Sequence, residues 1–124
     1  MGRAEKRIQI YVRFHRDICS RLALLAERSG RRRATTAAWI LTRAVAVAVM
    51  EHPDYAITAE DLGLDGSEEV YFLAKGRQEG AKAGPAMILT MDRQVNRDLE
   101  LLAGQLNLTP NQFRTAILAH YLGL

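Results

Sequence analysis

Along residues 8–14 apolar and polar side chains alternate. Ile8, Ile10, Val12 and Phe14 fall on one side, and Arg7, Gln9, Tyr11 and Arg13 on the other. A period of two with one apolar face predicts a half-buried β-strand. The period then lengthens. Ile18, Leu22, Leu25 and Ala26 recur at helical spacing and predict an amphipathic helix over residues 16–29. Ser29-Gly30 ends it, since glycine is the usual residue at the left-handed position just past a helix. A second helix is expected from about Thr35 to Met50, apolar at Trp39, Ile40, Val45, Val47 and Val49. Because it is apolar on most sides, it is expected to be the central, most buried element, with Trp39 in the core. His52-Pro53-Asp54 stops it.

The same order recurs 77 positions later, without a gap. Arg16 falls on Arg93, Leu22 on Leu99, Leu24-Leu25-Ala26 on Leu101-Leu102-Ala103, and Ile40-Leu41 on Ile117-Leu118. In the second copy Met87, Leu89 and Met91 take the inward face of a strand over residues 86–92, and Ala86, Ile88 and Thr90 the outward face. Val95, Leu99, Leu102 and Ala103 line the following helix. Asn107 stands where Gly30 stood; asparagine is the second choice for the left-handed conformation. Thr109-Pro110-Asn111-Gln112 is a strong helix start, with Thr as cap, Pro in the first turn and Gln three residues after the cap. Phe113, Ile117, Leu118 and Tyr121 are expected to face the core.

Two copies are too few for a solenoid. They suggest a pseudo-dimer, one chain doing by repetition what two identical chains do by symmetry. Units of about 40 residues are too small to fold alone. The reading is therefore one domain over residues 1–124, with a first unit at 7–50, a connector at 51–85 and a second unit at 86–124. In the connector, Ser67 followed by Glu68-Glu69 predicts one short helix. Tyr71, Phe72 and Leu73 are expected to pack on the core as a lid.

The net charge of +3 divides unevenly: residues 1–50 carry eleven Lys/Arg and three Asp/Glu, residues 51–124 six and eleven. A basic front half points to an anionic partner, nucleic acid above all, or else to a solvated charged surface. The single cysteine, Cys19, excludes an internal disulfide and fits a reducing, cytoplasmic setting. It reads as a small buried filler. No uninterrupted apolar run approaches the ~20 residues of a membrane span. His15, His52 and His120 lack metal-ligand spacing, and no phosphate-cradling glycine loop or nucleophile motif is present. A non-enzymatic chain without metal or cofactor is expected.

Strand, helix, Gly or Asn break, helix, written twice, resembles the ribbon-helix-helix family of the MetJ/Arc group. The resemblance implies a mainly α fold with a two-stranded antiparallel β-ribbon, two ribbon-helix-helix units pairing within one chain as an intramolecular pseudo-dimer. It implies sequence-specific binding of double-stranded DNA by the ribbon in the major groove. The base-reading positions would then be Gln9, Tyr11 and Arg13 of the first strand and Ile88 and Thr90 of the second. Gln suits adenine, Arg suits guanine, and Ile and Thr suit thymine methyl groups. Alternatively these residues form only the wet face of a strand, and the second strand serves protein contact. Unequal ribbon halves imply a DNA site that need not be palindromic.

The family also anchors phosphates at the start of its second helix, where backbone amides attract anions. Here that is Arg31, Arg32, Arg33, Thr35 and Thr36 in one copy, and Thr109 and Asn111 in the other. Lys6, Arg7, Arg16 and Arg93 flank the ribbon as further phosphate candidates. The arginine run could equally be a solvated charge run. Tandem units in one polypeptide resemble accessory proteins of DNA transfer, the TraY-like conjugation proteins and the overdrive-binding T-DNA-processing proteins. That implies a relaxase or another DNA-processing protein as partner, no membrane, and a monomer with internal pseudo-two-fold symmetry. A repressor of the same fold is the alternative within DNA binding. A protein-interaction adaptor that kept the fold is the alternative outside it.

Overall fold

The computed structural model describes residues 6–62 and 83–124. Strand β1 (Arg7–His15) leads into helices α1 (Arg16–Ser29) and α2 (Arg33–Glu51). After a 3-10 turn at Glu60–Leu62, strand β2 (Ala83–Asp92) leads into α3 (Arg93–Gln105) and α4 (Pro110–Tyr121). The described residues are thus mainly helical, with one two-stranded antiparallel sheet.

Local chemistry sets the boundaries, and it does so at corresponding places. His15 Nδ1 accepts from the Asp17 amide at 3.1 Å and opens α1. Asp92, 77 residues on, accepts from the Gln94 and Val95 amides at 2.8 and 3.2 Å and opens α3. Gly30 (φ 68°) and Asn107 (φ 58°) supply the left-handed residue after α1 and α3. Arg32 and Thr109 are the N-caps of α2 and α4. Thr109 forms the expected capping box, its hydroxyl accepting from the Gln112 amide while Gln112 Oε1 accepts from the Thr109 amide.

The strands pair with Ile8 opposite Met91, Ile10 opposite Leu89 and Val12 opposite Met87 on the inner face. Gln9 opposite Thr90, Tyr11 opposite Ile88 and Arg13 opposite Ala86 form the outer face. The ladder breaks register between Arg13 and His15, where β2 bends in at Gly84. Gly84 lies against Cys19 Sγ and the Phe14 carbonyl, and a Cβ there would clash with the sulfur and crowd the carbonyl. Among the described residues the strand includes Ala83–Pro85, earlier than the alternation from Ala86 suggested.

An isolated two-stranded sheet is marginal in water. This one is held from beneath. Val12, Phe14, Leu89 and Met91 are buried against Ile18, Leu22, Ile40, Leu41, Leu99, Leu102, Phe113 and Leu118. Full burial of one such side chain is worth ~1.5–3 kcal/mol, so this core outweighs the ladder. Residues from before and after the connector enter the same core.

Two expectations about burial are corrected. The most enclosed helix is α4, where every residue from Phe113 to Ala119 is buried. Helix α2 buries Thr36, Ala37, Ile40, Leu41, Val45 and Ala48 but leaves Trp39 42%, Val47 41% and Met50 75% exposed. Trp39 is therefore not a core residue. The reason is geometric: β2, α1, α3 and α4 all pack on α2, and its buried residues Thr36, Ala37, Ile40, Leu41, Val45 and Ala48 fall on one side of the helix. By length and composition alone α2 would pass as a membrane span, with a mean hydropathy of 1.3. Tyr121 likewise turns outward at 48% exposure, because α4 ends there.

Polar groups inside were not anticipated. Arg114 and Asn96 are buried, and an Arg114 terminal nitrogen donates to Asn96 Oδ1 at 3.1 Å. Burial pushes the Arg114 pKa down, against the opposing pull of nearby Glu100. In the connector, Tyr55 (φ 62°) donates its hydroxyl to Asp98 at 2.8 Å and ties the chain to α3. The short helix expected at Ser67 and the lid of Tyr71, Phe72 and Leu73 lie outside the described residues.

Candidate nucleic-acid interface

Five side chains share the outer face of the ribbon. Gln9, Tyr11 and Arg13 point out from β1, and Ile88 and Thr90 from β2, all exposed. Tyr11 and Ile88 are the most open of the apolar pair positions, at 70% and 52%. The order along the ribbon is fixed by register: Gln9 with Thr90 at one end, Tyr11 with Ile88 in the middle, Arg13 with Ala86 at the other. An apolar centre is therefore flanked by two different polar ends. Alternation legible in the sequence is what places these residues, and their exposure follows from it.

The start of α2 lies close to the ribbon. Arg31, Arg32 and Arg33 line an open groove of about 520 Å³ together with Ala23, Glu27 and Met87 of β2. A second groove of about 430 Å³ adjoins it, lined by Arg7, Arg32, Thr35, Thr42 and Trp39 together with Ile88 and Thr90. Arg32 belongs to both. Arg31, Arg32, Arg33 and Thr35 are exposed. Thr36 does not share that exposure; it is 3% exposed and its hydroxyl donates to the Arg32 carbonyl at 2.9 Å.

The two helix starts differ in what they offer an anion. No side chain caps α2, so the amides of its first turn have no side-chain acceptor. At α4, Pro110 has no amide hydrogen and the Gln112 amide already donates to Thr109. Asn111 is engaged too: its amide nitrogen donates to the Arg13 carbonyl at 3.3 Å, which ties the start of α4 to the end of β1. Thr109 itself is exposed. Lys6, Arg7, Arg16 and Arg93 are exposed around the strand ends. Exposed arginines are thus concentrated at the start of α2.

Trp39 and Thr42 are the groove residues that sequence reasoning missed. Arg31 and Arg43 set their guanidinium carbons 5.7 and 5.9 Å from the Trp39 ring centroid. Such cation–π contacts hold an arginine head in place at modest cost to its charge. Helical spacing from Thr35 placed Trp39 on the same face, but the apolar surroundings of α2 concealed its exposure. Among the described residues no cluster of three or more His, Cys, Asp or Glu could hold a metal ion.

Comparison with known protein families, with curated proteins and with solved structures finds no match for this chain.

Proposed function

We propose that the protein binds double-stranded DNA sequence-specifically, the two-stranded ribbon entering the major groove. One observation carries this reading: an exposed ribbon face bearing Gln9, Arg13 and Thr90 stands beside an uncapped helix start surrounded by Arg7, Arg31, Arg32 and Arg33. A two-stranded ribbon fits the major groove in width. Base-edge readers on the ribbon and phosphate holders beside it divide the work as DNA recognition requires.

The two halves act as an intramolecular pseudo-dimer of ribbon-helix-helix units in this proposal. The register supports it. Tyr11 pairs with Ile88, its own counterpart 77 residues on, which is what a two-fold axis through that pair demands. Helix caps and left-handed breaks 77 residues apart agree. No catalytic role is proposed. The tandem resemblance makes an accessory role in DNA transfer, beside a relaxase, the favoured process. A binding site that maps next to a nicking site rather than a promoter decides between that and a repressor.

Selection of duplexes from a random pool tests the reading. A defined site should emerge, and Arg13→Ala should lose about 1–3 kcal/mol on it while relaxing preference at one base pair. Equal losses on selected and random duplexes would make Arg13 a phosphate contact. No enrichment at any salt concentration would favour the adaptor reading, to which the apolar Tyr11 and Ile88 lend support.

A further inference from the structure

Helix α2 carries a ridge of exposed side chains. Trp39, Arg43, Val47 and Glu51 follow one another every four residues, the spacing of a helix ridge, and all four are exposed. Met50 beside them is 75% exposed. Tyr121 of α4 meets Trp39 edge to face, ring centroids 6.4 Å apart. Half of the large apolar side chains exposed among the described residues gather here: Trp39, Val47, Met50 and Tyr121. Exposed apolar side chains gathered among charged ones mark a protein contact.

We propose that this ridge docks on the same ridge of a second copy of the chain, the two α2 helices crossing antiparallel at Val47. The charges select both occupant and orientation. Arg43 lies four residues before Val47 and Glu51 four after. In the antiparallel crossing, Arg43 of each copy faces Glu51 of the other, so the pair forms twice. A parallel crossing would set arginine against arginine and glutamate against glutamate, a like-charge arrangement that costs affinity. Among the described residues neither Arg43 nor Glu51 makes an ion pair within its own chain. Arg43 rests against the Trp39 ring at 5.9 Å, which keeps its stem along the ridge.

Interdigitated ridges of this spacing form the commonest helix packing, crossing at about 50°. Val47 and Met50 supply the apolar centre, with Trp39 and Tyr121 at its margin. The ridge from Trp39 to Met50 is only ~17 Å long at ~1.5 Å per residue, so the contact is of the small, dissociable kind. A dilute chain is monomeric; crowding several copies on one DNA would bring the contact into play. The proposal does not depend on the DNA reading, and its test contains no DNA.

Sedimentation equilibrium of the full chain, from micromolar concentrations to about 1 mM, should show a monomer–dimer equilibrium with a dissociation constant on the order of 100 μM. Arg43→Glu and Glu51→Arg should each weaken it at least about tenfold, and the double charge reversal should restore it to within about threefold. Both positions are exposed, and far-UV circular dichroism confirms the fold of each variant. Should a reversal fail to fold, Val47→Lys replaces it and should abolish the dimer. A wild-type chain monomeric throughout overturns the proposal. So does a double variant as weak as the singles, or a dimer that survives Val47→Lys.

Discussion

Single residues decide more here than their frequency suggests. Gly84 is one, since it is the point where β2 passes Cys19 Sγ and the Phe14 carbonyl. Gly84→Ala should destabilise the fold by about 1–3 kcal/mol through overpacking, read as a lower urea midpoint at unchanged slope. Gly30→Ala should also destabilise, by strain at positive φ rather than by contact. Cys19 gives a pH signature. Burial raises its thiol pKa above the ordinary 9.0, with nearby Arg33 and a backbone hydrogen bond at Phe14 pulling the other way. The folded chain therefore holds the proton longer than the unfolded one. Stability from this group is complete below pH 9 and is lost as pH rises through the higher folded value. Tyr55, raised above its ordinary 10.0 by donating to Asp98, acts in the same direction. Urea midpoints should thus fall between pH 8 and 11 in the wild type, and fall less in Cys19→Ala. An identical fall in both would remove Cys19 from the account. Gly30 and the burial of Cys19 were legible in the sequence, but neither the contact of Gly84 with Cys19 nor that of Tyr55 with Asp98 is local, and no periodicity encodes either.

At the scale of elements, most boundaries were readable because they rest on local chemistry. Gly30, Asn107 and the Thr109–Gln112 capping box act within four residues, and the sequence displays them directly. Exposure was not readable for α2, because a uniformly apolar helix carries no sign of which side its neighbours take. Trp39 was assigned to the core for that reason. The contrast between the starts of α2 and α4 also needed the structure, since the arginines converge on grooves that β2 helps to build. It leads to a comparison of helix starts. Replacing Arg31, Arg32 and Arg33 by Ala should weaken binding to all duplexes alike and flatten the salt slope by roughly 0.9 per lost phosphate contact. Thr109→Ala should instead cost about 1 kcal/mol of stability through the lost cap and leave the salt slope nearly unchanged. Salt titrations of both variants against one duplex separate the two effects. An arginine variant with the full wild-type slope would remove phosphate binding from α2.

Across the whole molecule, recurring boundaries carry an outer face that does not recur. Register, caps and breaks repeat at 77 residues, whereas the outward side chains do not. Positions 9, 11 and 13 carry Gln, Tyr and Arg; their counterparts 86, 88 and 90 carry Ala, Ile and Thr. A homodimer reads the same half-site twice because it has no other choice. This chain is free of that constraint, and under the DNA reading it should select a site with one strongly specified end. Ala86→Gln with Thr90→Arg would place the Gln9 and Arg13 chemistry at the matching positions of β2, on the same register. Ala86 is half-buried and Thr90 exposed, so the core beneath should tolerate both changes. The double variant should then select a palindrome built from the Arg13 half of the wild-type site, and bind it more tightly than the wild-type sequence by about 1–3 kcal/mol for the added bidentate pair. Two parallel duplex selections, wild type and double variant, make the comparison. If the variant still selects the unsymmetrical site, the ribbon face is not what reads the bases. If wild type already selects a palindrome, the unequal halves of the ribbon carry no sequence information.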